Sequence, residues 1–119
     1  MSTSSKGRKA EKIARDFLTS KGYQIIAENF RTRFGEIDLI ALDGNCLVFI
    51  EVKSTSSKKF GLPEEKVGQE KLRRIIKASS YFRVKHPQMP NLQRIDVVAI
   101  DFSPIGVVGE IRLFKNITG

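Results

Sequence analysis

The segment GEIDLIALDGNCLVFIEVKS, residues 35–54, constrains the fold most because it combines an apolar hairpin with charged side chains. Its two apolar runs flank Asp43-Gly44, a dipeptide that favours a two-residue turn between antiparallel strands. Both runs are apolar on both faces, as in strands buried in the middle of a sheet. Charged residues nevertheless interrupt them: Glu36, Asp38, Glu51 and Lys53. Charges in a buried hairpin call for a functional explanation.

Apolar periodicity and turn signals predict the element order αβββαββ. A helix between the third and fourth strands implies that these two strands pair in parallel, whereas hairpin neighbours pair antiparallel. The predicted fold class is therefore α/β, a mixed five-stranded sheet flanked by helices. Residues 1–6 are predicted to be a disordered basic N-terminus and residues 7–119 a single domain. The predicted elements are a helix from Gly7 to Lys21, strands over 23–30, 36–42 and 46–53, a helix from Pro63 to Lys85, and strands over 94–101 and 107–114.

Three details of these elements can be checked separately. Gly22 is predicted to cap the first helix. Arg31-Thr32-Arg33 is predicted to form a basic turn before the second strand. The second helix is predicted to bury one apolar stripe, made of Leu72, Ile75, Ile76 and Phe82.

The hairpin register decides which charges meet. Glu51 and Lys53 share one face of their strand, and Val52 points to the other. With Asp43-Gly44 as the turn, Leu42 opposes Asn45, and Asp38 is a diagonal neighbour of Glu51. A register that places Asp38 directly opposite Glu51 would also bring the two acids together. A slip of one residue from either register would separate them.

Two neighbouring carboxylates repel each other and are costly to bury, unless a divalent cation binds between them. Mg²⁺ prefers oxygen ligands and commonly uses one or two carboxylates with water and phosphate oxygens. Lys53 could hold a phosphate oxygen or activate an attacking water. The alternative is a surface cross-strand ion pair between acid and lysine, worth about 0.2–1 kcal/mol.

Composition narrows the partner and the compartment. The formal net charge of +8 favours a polyanionic partner, and nucleic acid is the first candidate. The chain has one cysteine, Cys46, which excludes an internal disulfide and a cysteine-based zinc site. No apolar run is long enough to span a membrane, and the N-terminus lacks the apolar core of a signal peptide. These features predict a cytoplasmic protein without a membrane partner.

Basic residues cluster at two further places. Arg31 and Arg33 precede the acidic strand, where they could hold a phosphate or simply face solvent. On the second helix, a basic face could track phosphates or serve solubility, and the sequence leaves both open. That face contains Lys66, Arg73 and Lys77, with Lys71 and Arg74 alongside.

Asp38, a spacer and Glu51-Val52-Lys53 match the core of the PD-(D/E)xK nucleases, the restriction-endonuclease-like superfamily. Longer segments resemble the YraN family of endonucleases, which is similar to archaeal Holliday junction resolvases. The resemblance spans about residues 7 to 115. The matching segments are GRKAEKIARDFLTSKGYQIIAENFR, GEIDLIA, FIEVKS and RIDVVAI.

The resemblance implies a restriction-endonuclease-like fold and a site for Mg²⁺ or Mn²⁺. Its metal ligands would be Glu11, Asp38, Glu51 and the carbonyl oxygen of Val52, with Lys53 as the catalytic lysine. From the residues alone, an exposed helix glutamate is the commoner interpretation of Glu11. The implied reaction is DNA hydrolysis that leaves a 5′-phosphate. Branched DNA as substrate and a homodimer follow from the resolvase similarity.

Two departures from the superfamily pattern are visible. Ile37 replaces the proline before the motif aspartate. Thr55 stands where many relatives have an arginine, and Lys58 or Lys59 could replace that phosphate contact. Lower-ranked candidates are Glu36 in a supporting role and Gln69 facing the site, while Asp96 is interpreted as structural. A non-catalytic nucleic-acid-binding or DNA-processing interaction protein that keeps the fold remains the alternative function.

Overall fold

In the part of the chain that the structure describes, two helices and five strands follow one another in the predicted order. The computed structural model describes residues 5–55 and 67–118. The elements are α1 (Ser5–Ser20), β1 (Gln24–Thr32), β2 (Gly35–Asp43), β3 (Cys46–Thr55), α2 (Gln69–Lys85), β4 (Leu92–Phe102) and β5 (Val108–Phe114). Within these described ranges, no helix is long and apolar enough to cross a membrane.

The strands form one five-stranded sheet in the order β1-β2-β3-β4-β5. The pairs β1–β2, β2–β3 and β4–β5 are antiparallel, and β3–β4 is parallel. The predicted mixed sheet and α/β class are therefore confirmed, and the arrangement agrees with a restriction-endonuclease-like fold. β3 is central, and its residues from Leu47 to Glu51 are all buried, as expected for a strand covered on both faces.

Each helix covers a different hydrophobic cluster on the sheet. α1 contributes Ala10, Ala14 and Leu18 to one cluster, and α2 contributes Ile75, Ala78 and Phe82 to the other. Every third or fourth residue of each helix is thus buried, which is the spacing of an amphipathic helix. The site described below lies where the residues of both helices approach the same pair of strands.

The first helix ends as predicted. Gly22 has a φ of +95°, a conformation that glycine adopts without steric penalty. Its N–H donates to Thr19 O, and the N–H of Tyr23 donates to Leu18 O, both at 3.0 Å. This pair of bonds is a Schellman cap, which satisfies carbonyls at the helix end. The helix begins at Ser5, two residues before the predicted start.

The second helix departs from the prediction at its start and on its buried face. Pro63 lies outside the described residues, but Val67 and Gly68 are not helical and the helix begins at Gln69. Gly68 is the extended N-cap residue, with φ −64° and ψ 163°. Ile76 is 47% exposed, so its predicted burial is wrong. A helix buries residues that are three or four positions apart. After Ile75 the next buried residue is Ala78, so Ile76 points away from the sheet.

The β1–β2 and β2–β3 turns are shifted from their predicted positions. Between β2 and β3, Asp43 pairs with Cys46 and the turn is Gly44-Asn45, with Gly44 at φ +59°. The first predicted register, Leu42 opposite Asn45, is therefore wrong. Continuing the observed register places Asp38 opposite Glu51, the second register considered. Between β1 and β2, Arg31 and Thr32 belong to β1, and the turn is Arg33-Phe34.

A buried polar network ties one end of the sheet together. Asp96 on β4 is fully buried and accepts hydrogen bonds from Arg94 Nε (3.0 Å), the Tyr23 hydroxyl (2.9 Å) and the Asn116 N–H (2.9 Å). Arg94 also donates to Asp43 at 2.7 Å. The structural interpretation of Asp96 is supported, and its arginine partner, Arg94, comes from the same strand. This register places Asp43 in β2, within reach of Arg94.

Candidate functional site

The two central antiparallel strands separate at the predicted acidic position. The last regular β2–β3 pair at this end is Leu39–Ile50. Beyond it, the N–H of Val52 donates to Asp38 Oδ2 at 2.8 Å. A side-chain carboxylate therefore takes the place of the backbone acceptor that a continuous ladder would supply. This hydrogen bond gives the Val52 N–H an acceptor and holds the Asp38 carboxylate between the two strands.

The alternation of side chains along β2 also breaks at Asp38. Ile37 and Ile40 belong to the same hydrophobic cluster, although residues three apart in a regular strand point to opposite faces. Leu39, between them, belongs to the cluster on the other face. The strand therefore twists locally at Asp38, which turns this residue away from a regular sheet position.

Asn29 on β1 shares this irregularity. It has a φ of +52°, a left-handed conformation that few residues other than glycine and asparagine adopt. Its Oδ1 is buried and has no hydrogen-bond partner among the described residues. Asn29 lies opposite Asp38 on β1, between the regular pairs Glu28–Leu39 and Phe30–Ile37.

A cleft of about 350 Å³ opens where the strands separate. It brings together five of the residues predicted from the sequence: Glu11, Asp38, Glu51, Val52 and Lys53. Glu36, the supporting candidate, also lines the cleft. The remaining lining residues are Gly7, Ala10, Ser54 and Lys71. Residues of α1, β2, β3 and α2 thus converge on one concave surface.

The electrostatics of the cleft centre on Asp38. Burial raises the pKa of Asp38 to about 8, and the nearby charges of Glu51 and Glu11 add to the increase. The hydrogen bond from Val52 and the charge of Lys71 lower it, but they do not compensate. Without an additional cation, this carboxyl group keeps its proton near neutral pH, which is unusual for an aspartate.

Glu51 is buried, with only 3% of its surface exposed, and it forms an ion pair with the ammonium group of Lys71 on α2. Buried carboxylates require such a partner because desolvation penalises the charged form. From the sequence, Lys71 is predicted only to lie beside the basic face of the helix. Its position three residues into α2, which packs on β2, connects that helix to the acidic cleft.

Glu11 on α1 is half-buried, and burial raises its pKa above the ordinary value. A hydrogen bond with the Asn29 side chain lowers it, while the charges of Glu36, Glu28 and Glu51 raise it further. Asn29 was missed as a site residue. Asparagine is depleted in strand interiors and tolerates positive φ, so its place inside a predicted strand was an available signal.

The donor set of the cleft fits a hard divalent cation, but the ligands are not gathered around one point. In the parts of the chain that the structure describes, no three histidine, cysteine or acidic residues form a group that could hold a metal ion. Asp38 and Glu51 nevertheless form a repelling pair in one cleft. One or two carboxylates with water and phosphate oxygens suffice for Mg²⁺. The pair meets this requirement.

The predicted nucleic-acid-binding residues that the structure describes lie in two places. Arg31 forms an ion pair with Glu36, with its Nε 3.6 Å from Oε2, and Arg33 occupies the β1–β2 turn. Arg73 and Lys77 are exposed on α2. Gln69, the first residue of α2, is exposed and does not line the cleft. Lys58, Lys59 and Lys66 lie outside the described residues.

The fold and the cleft define the class of protein. It is an α/β protein with a mixed sheet of restriction-endonuclease-like arrangement. Its central strands carry carboxylates and a lysine into one cleft.

Comparison with known proteins identifies the family. The Uncharacterised protein family UPF0102 matches residues 10–100. A UPF0102 protein of Natranaerobius thermophilus is 53% identical over 102 residues, which cover 84% of this chain and 86% of that protein. UPF0102 proteins of Syntrophus aciditrophicus and Caldicellulosiruptor bescii are 46% and 45% identical over 111 residues each. Those alignments cover 92% of this chain, and 85% and 93% of the respective relatives. The chain belongs to the UPF0102 family, also called the YraN family, and the predicted membership is confirmed.

Proposed function

We propose that the protein is a metal-dependent DNA endonuclease that hydrolyses phosphodiester bonds. The observation that carries the proposal is the pairing of Asp38 and Glu51 in one cleft, where burial and mutual repulsion raise the pKa of Asp38 to about 8. A fold gains no stability from such repulsion, so a cationic partner is the simplest reason to keep it. Lys53 in the same cleft supplies the group that hydrolysis would need next to the cation.

The residues that would hold Mg²⁺ or Mn²⁺ are Asp38, Glu51, the carbonyl oxygen of Val52 and Glu11. When bound, the cation would polarise the phosphoryl oxygen and make a neighbouring water a better nucleophile. Binding would also favour the ionised form of Asp38, because an opposite charge lowers the pKa of a carboxyl group.

The protein's own cations would act on the substrate. The Lys53 ammonium would orient the attacking water and offset the negative charge that develops on the phosphate. Lys71 neutralises Glu51 in the structure, and a cation bound between the acids would free its ammonium for a phosphate oxygen. Arg31 and Arg33 would position the DNA backbone near the cleft, as phosphate contacts commonly do.

The net charge of +8 supports a nucleic-acid substrate over a small neutral one. Branched DNA is the proposed substrate form, and a homodimer would place two such sites for two cuts. Both points derive from the similarity to resolvases.

Two observations favour the second candidate, a non-catalytic nucleic-acid-binding protein. Glu51 already has a cationic partner in Lys71, and the described residues contain no group of three metal ligands. A cleft neutralised from within would keep the fold and the basic surface without needing a metal.

Cleavage assays separate the two candidates. Linear, nicked, flap and four-way DNA are incubated with Mg²⁺ or Mn²⁺ and either wild-type protein or Lys53→Ala. We expect wild type to cleave at least one form and Lys53→Ala to lose roughly a hundredfold in rate, the usual scale for removing one group that stabilises developing negative charge. Lys12→Ala is the matched control, because Lys12 is 68% exposed on α1 and pairs with Asp16. Salt-dependent binding without cleavage of any form would favour the second candidate.

Thermal unfolding tests the metal site without relying on activity. A ligand at about 100 times its Kd stabilises the folded state by about 2.7 kcal/mol. We therefore expect Mn²⁺ to raise the Tm of wild type and to leave that of Asp38→Asn unchanged. Equal responses of the two proteins would remove Asp38 from the site.

A further inference from the structure

A second groove, of about 660 Å³, lies at the tip of the β1–β2 hairpin. Its lining combines two arginines with two aromatic rings: Arg31, Thr32, Arg33, Phe34 and Tyr81. An apolar depression of about 380 Å³ adjoins it, since Phe34 and Tyr81 line both. Tyr81 is 41% exposed and Val84 78%. A contiguous exposed apolar patch commonly marks an interaction site.

The hairpin tip is held in a defined conformation. Thr32 Oγ1 accepts hydrogen bonds from the N–H of Phe34 (3.0 Å) and of Gly35 (3.2 Å), and donates to Gly35 O at 3.0 Å. Gly35 has a φ of +155°, and a Cβ at this position would lie 3.1 Å from Arg74 Cβ on α2. The turn therefore packs closely against the helix, and Phe34 is presented from a fixed backbone.

The aromatic rings have cations beside them. The Arg33 guanidinium carbon lies 5.1 Å from the centre of the Phe34 ring, and Lys77 Nζ lies 5.9 Å from it. Lys85 Nζ lies 5.3 Å from the Tyr81 ring. Tyr81 also packs against Phe30, with ring centres 6.3 Å apart. Rings anchored on the fold, with basic groups over them, match the base and the phosphate of a nucleotide.

We propose that this groove binds single-stranded DNA, with an unpaired base stacked on Phe34 or Tyr81 and adjacent phosphates held by Arg31, Arg33 and Lys77. Stacking on aromatic side chains combined with a basic groove is the physical basis of single-strand binding without sequence preference. Neither component explains the groove alone, because phosphate binding needs no rings and an apolar contact needs no clustered cations.

Charge selects this occupant over a second copy of the chain. A two-fold interface would bring the same cations of both copies together, since such an interface uses one patch twice. Arg33, Lys77 and Lys85 would then repel their equivalents. A polyanion is attracted by the same groups.

The groove is adjacent to the acidic cleft. Arg31 lines the groove and forms its ion pair with Glu36, which lines the cleft. A DNA strand that leaves the groove past Arg31 and Glu36 would reach Asp38, which lies two residues after Glu36 on β2. The inference rests on the proposed nuclease function for its biological meaning: the substrate would contain an unpaired segment next to the bond that is cut.

Binding in EDTA tests the groove independently of cleavage. Fluorescence anisotropy compares a labelled oligothymidylate with an abasic oligonucleotide of equal length, which keeps the phosphates and lacks the bases. We expect wild type to prefer the oligothymidylate by roughly tenfold, the scale of one or two stacked bases. Phe34→Leu and Tyr81→Leu keep the apolar volume and remove the ring, and each should reduce the preference. Val84→Ala, which changes the same patch without touching a ring, should leave it unchanged.

Equal affinity of wild type for the two oligonucleotides would overturn the proposal, as would a preference that survives both ring substitutions. Sedimentation velocity checks the other occupant: a wild-type dimer that Val84→Asp dissociates, with base preference unaffected by Phe34→Leu, would assign the groove to a second copy. If wild type cleaves DNA but shows no base preference, the proposed nuclease function stands and single-strand binding in the groove is rejected. If wild type shows base preference but cleaves no DNA, the groove proposal stands and the nuclease function is rejected.

Discussion

Two aspartates of the same sheet, the fully buried Asp96 and the half-buried Asp38, have different surroundings. Asp96 on β4 accepts bonds from an arginine, a tyrosine hydroxyl and a backbone N–H. Asp38 on β2 accepts one backbone bond at 2.8 Å and faces the carboxylate of Glu51. Asp96 therefore has compensation for its lost hydration, whereas Asp38 has a repelling neighbour.

The pKa values of Arg94 and Tyr23, the two side chains that donate to Asp96, reflect this compensation. Burial would lower the pKa of Arg94, yet its hydrogen bonds with Asp96 and Asp43 raise it above the usual value. Burial and the Asp96 charge raise the pKa of Tyr23 to about 12, so Tyr23 stays a hydrogen-bond donor. Burial alone thus does not indicate function: the uncompensated carboxylate, and not the more deeply buried one, marks the candidate site.

Removing Arg94 would make Asp96 resemble Asp38, and it is the largest change we expect. Arg94→Met leaves the carboxylates of Asp96 and Asp43 without their cation. Breaking a buried pair from one side commonly costs about 3–5 kcal/mol, and we expect a loss of free energy of unfolding near the lower end, because Tyr23 and Asn116 still donate to Asp96. Urea unfolding at neutral pH measures it.

The control for Arg94 is Arg112→Met on β5. Arg112 forms an ion pair with Glu110 at 2.9 Å, and both side chains are substantially exposed. Exposed pairs contribute about 0–1 kcal/mol. Comparable losses in the two variants would mean that the Asp96 network is not a special source of stability.

Asp38 should make stability fall as pH rises, in metal-free buffer. Its pKa is raised from 3.8 to about 8 on folding. Between these values the folded protein keeps a proton that the unfolded chain has released, so a higher pH favours unfolding. Below about pH 4 both states are protonated and above about pH 8 both are ionised, and the effect is constant. The slope within this window is at most about 1.4 kcal/mol per pH unit.

Asp38→Asn removes this titration and its contribution to the slope. We expect the stability of the variant, measured by urea unfolding in EDTA, to depend less on pH than that of wild type. Asp16→Asn, at an exposed acid of α1, should retain the wild-type slope. Identical slopes for wild type and Asp38→Asn would show that the pKa of Asp38 is not raised on folding and that its burial is compensated.

The elements of the fold were accessible from the sequence because each depends on local signals. Apolar periodicity, the Gly22 cap and the hairpin glycine determined the element order, and the helix between the third and fourth strands implied their parallel pairing. The register was not determined, since Asp43-Gly44 and Gly44-Asn45 are both acceptable turns. The observed turn, Gly44-Asn45, is accompanied by a contact between Asp43 and Arg94, which is 51 residues away. The residues of the turn contain no information about this distant contact.

The candidate site was predictable in its charges but not in its geometry. Parity along β3 placed Glu51 and Lys53 on one face, and both line the cleft. The role of Asp38 as acceptor for Val52, and the ion pair between Lys71 and Glu51, depend on where the strands separate and how α2 packs. These are tertiary contacts, which periodicity does not encode.

Asn29 sharpens the comparison, because it connects the uncompensated region to α1. Asn29→Gly should change the free energy of unfolding by less than about 1 kcal/mol, since glycine adopts the positive φ of this position without strain. It removes the hydrogen bond that lowers the pKa of Glu11, so that pKa should rise. Carboxyl-carbon NMR titration measures it. Asn116→Gly is the matched control: its φ is 55°, against 52° for Asn29, and it should leave the Glu11 pKa unchanged. If Glu11 titrates alike in wild type and Asn29→Gly, Asn29 does not position this glutamate.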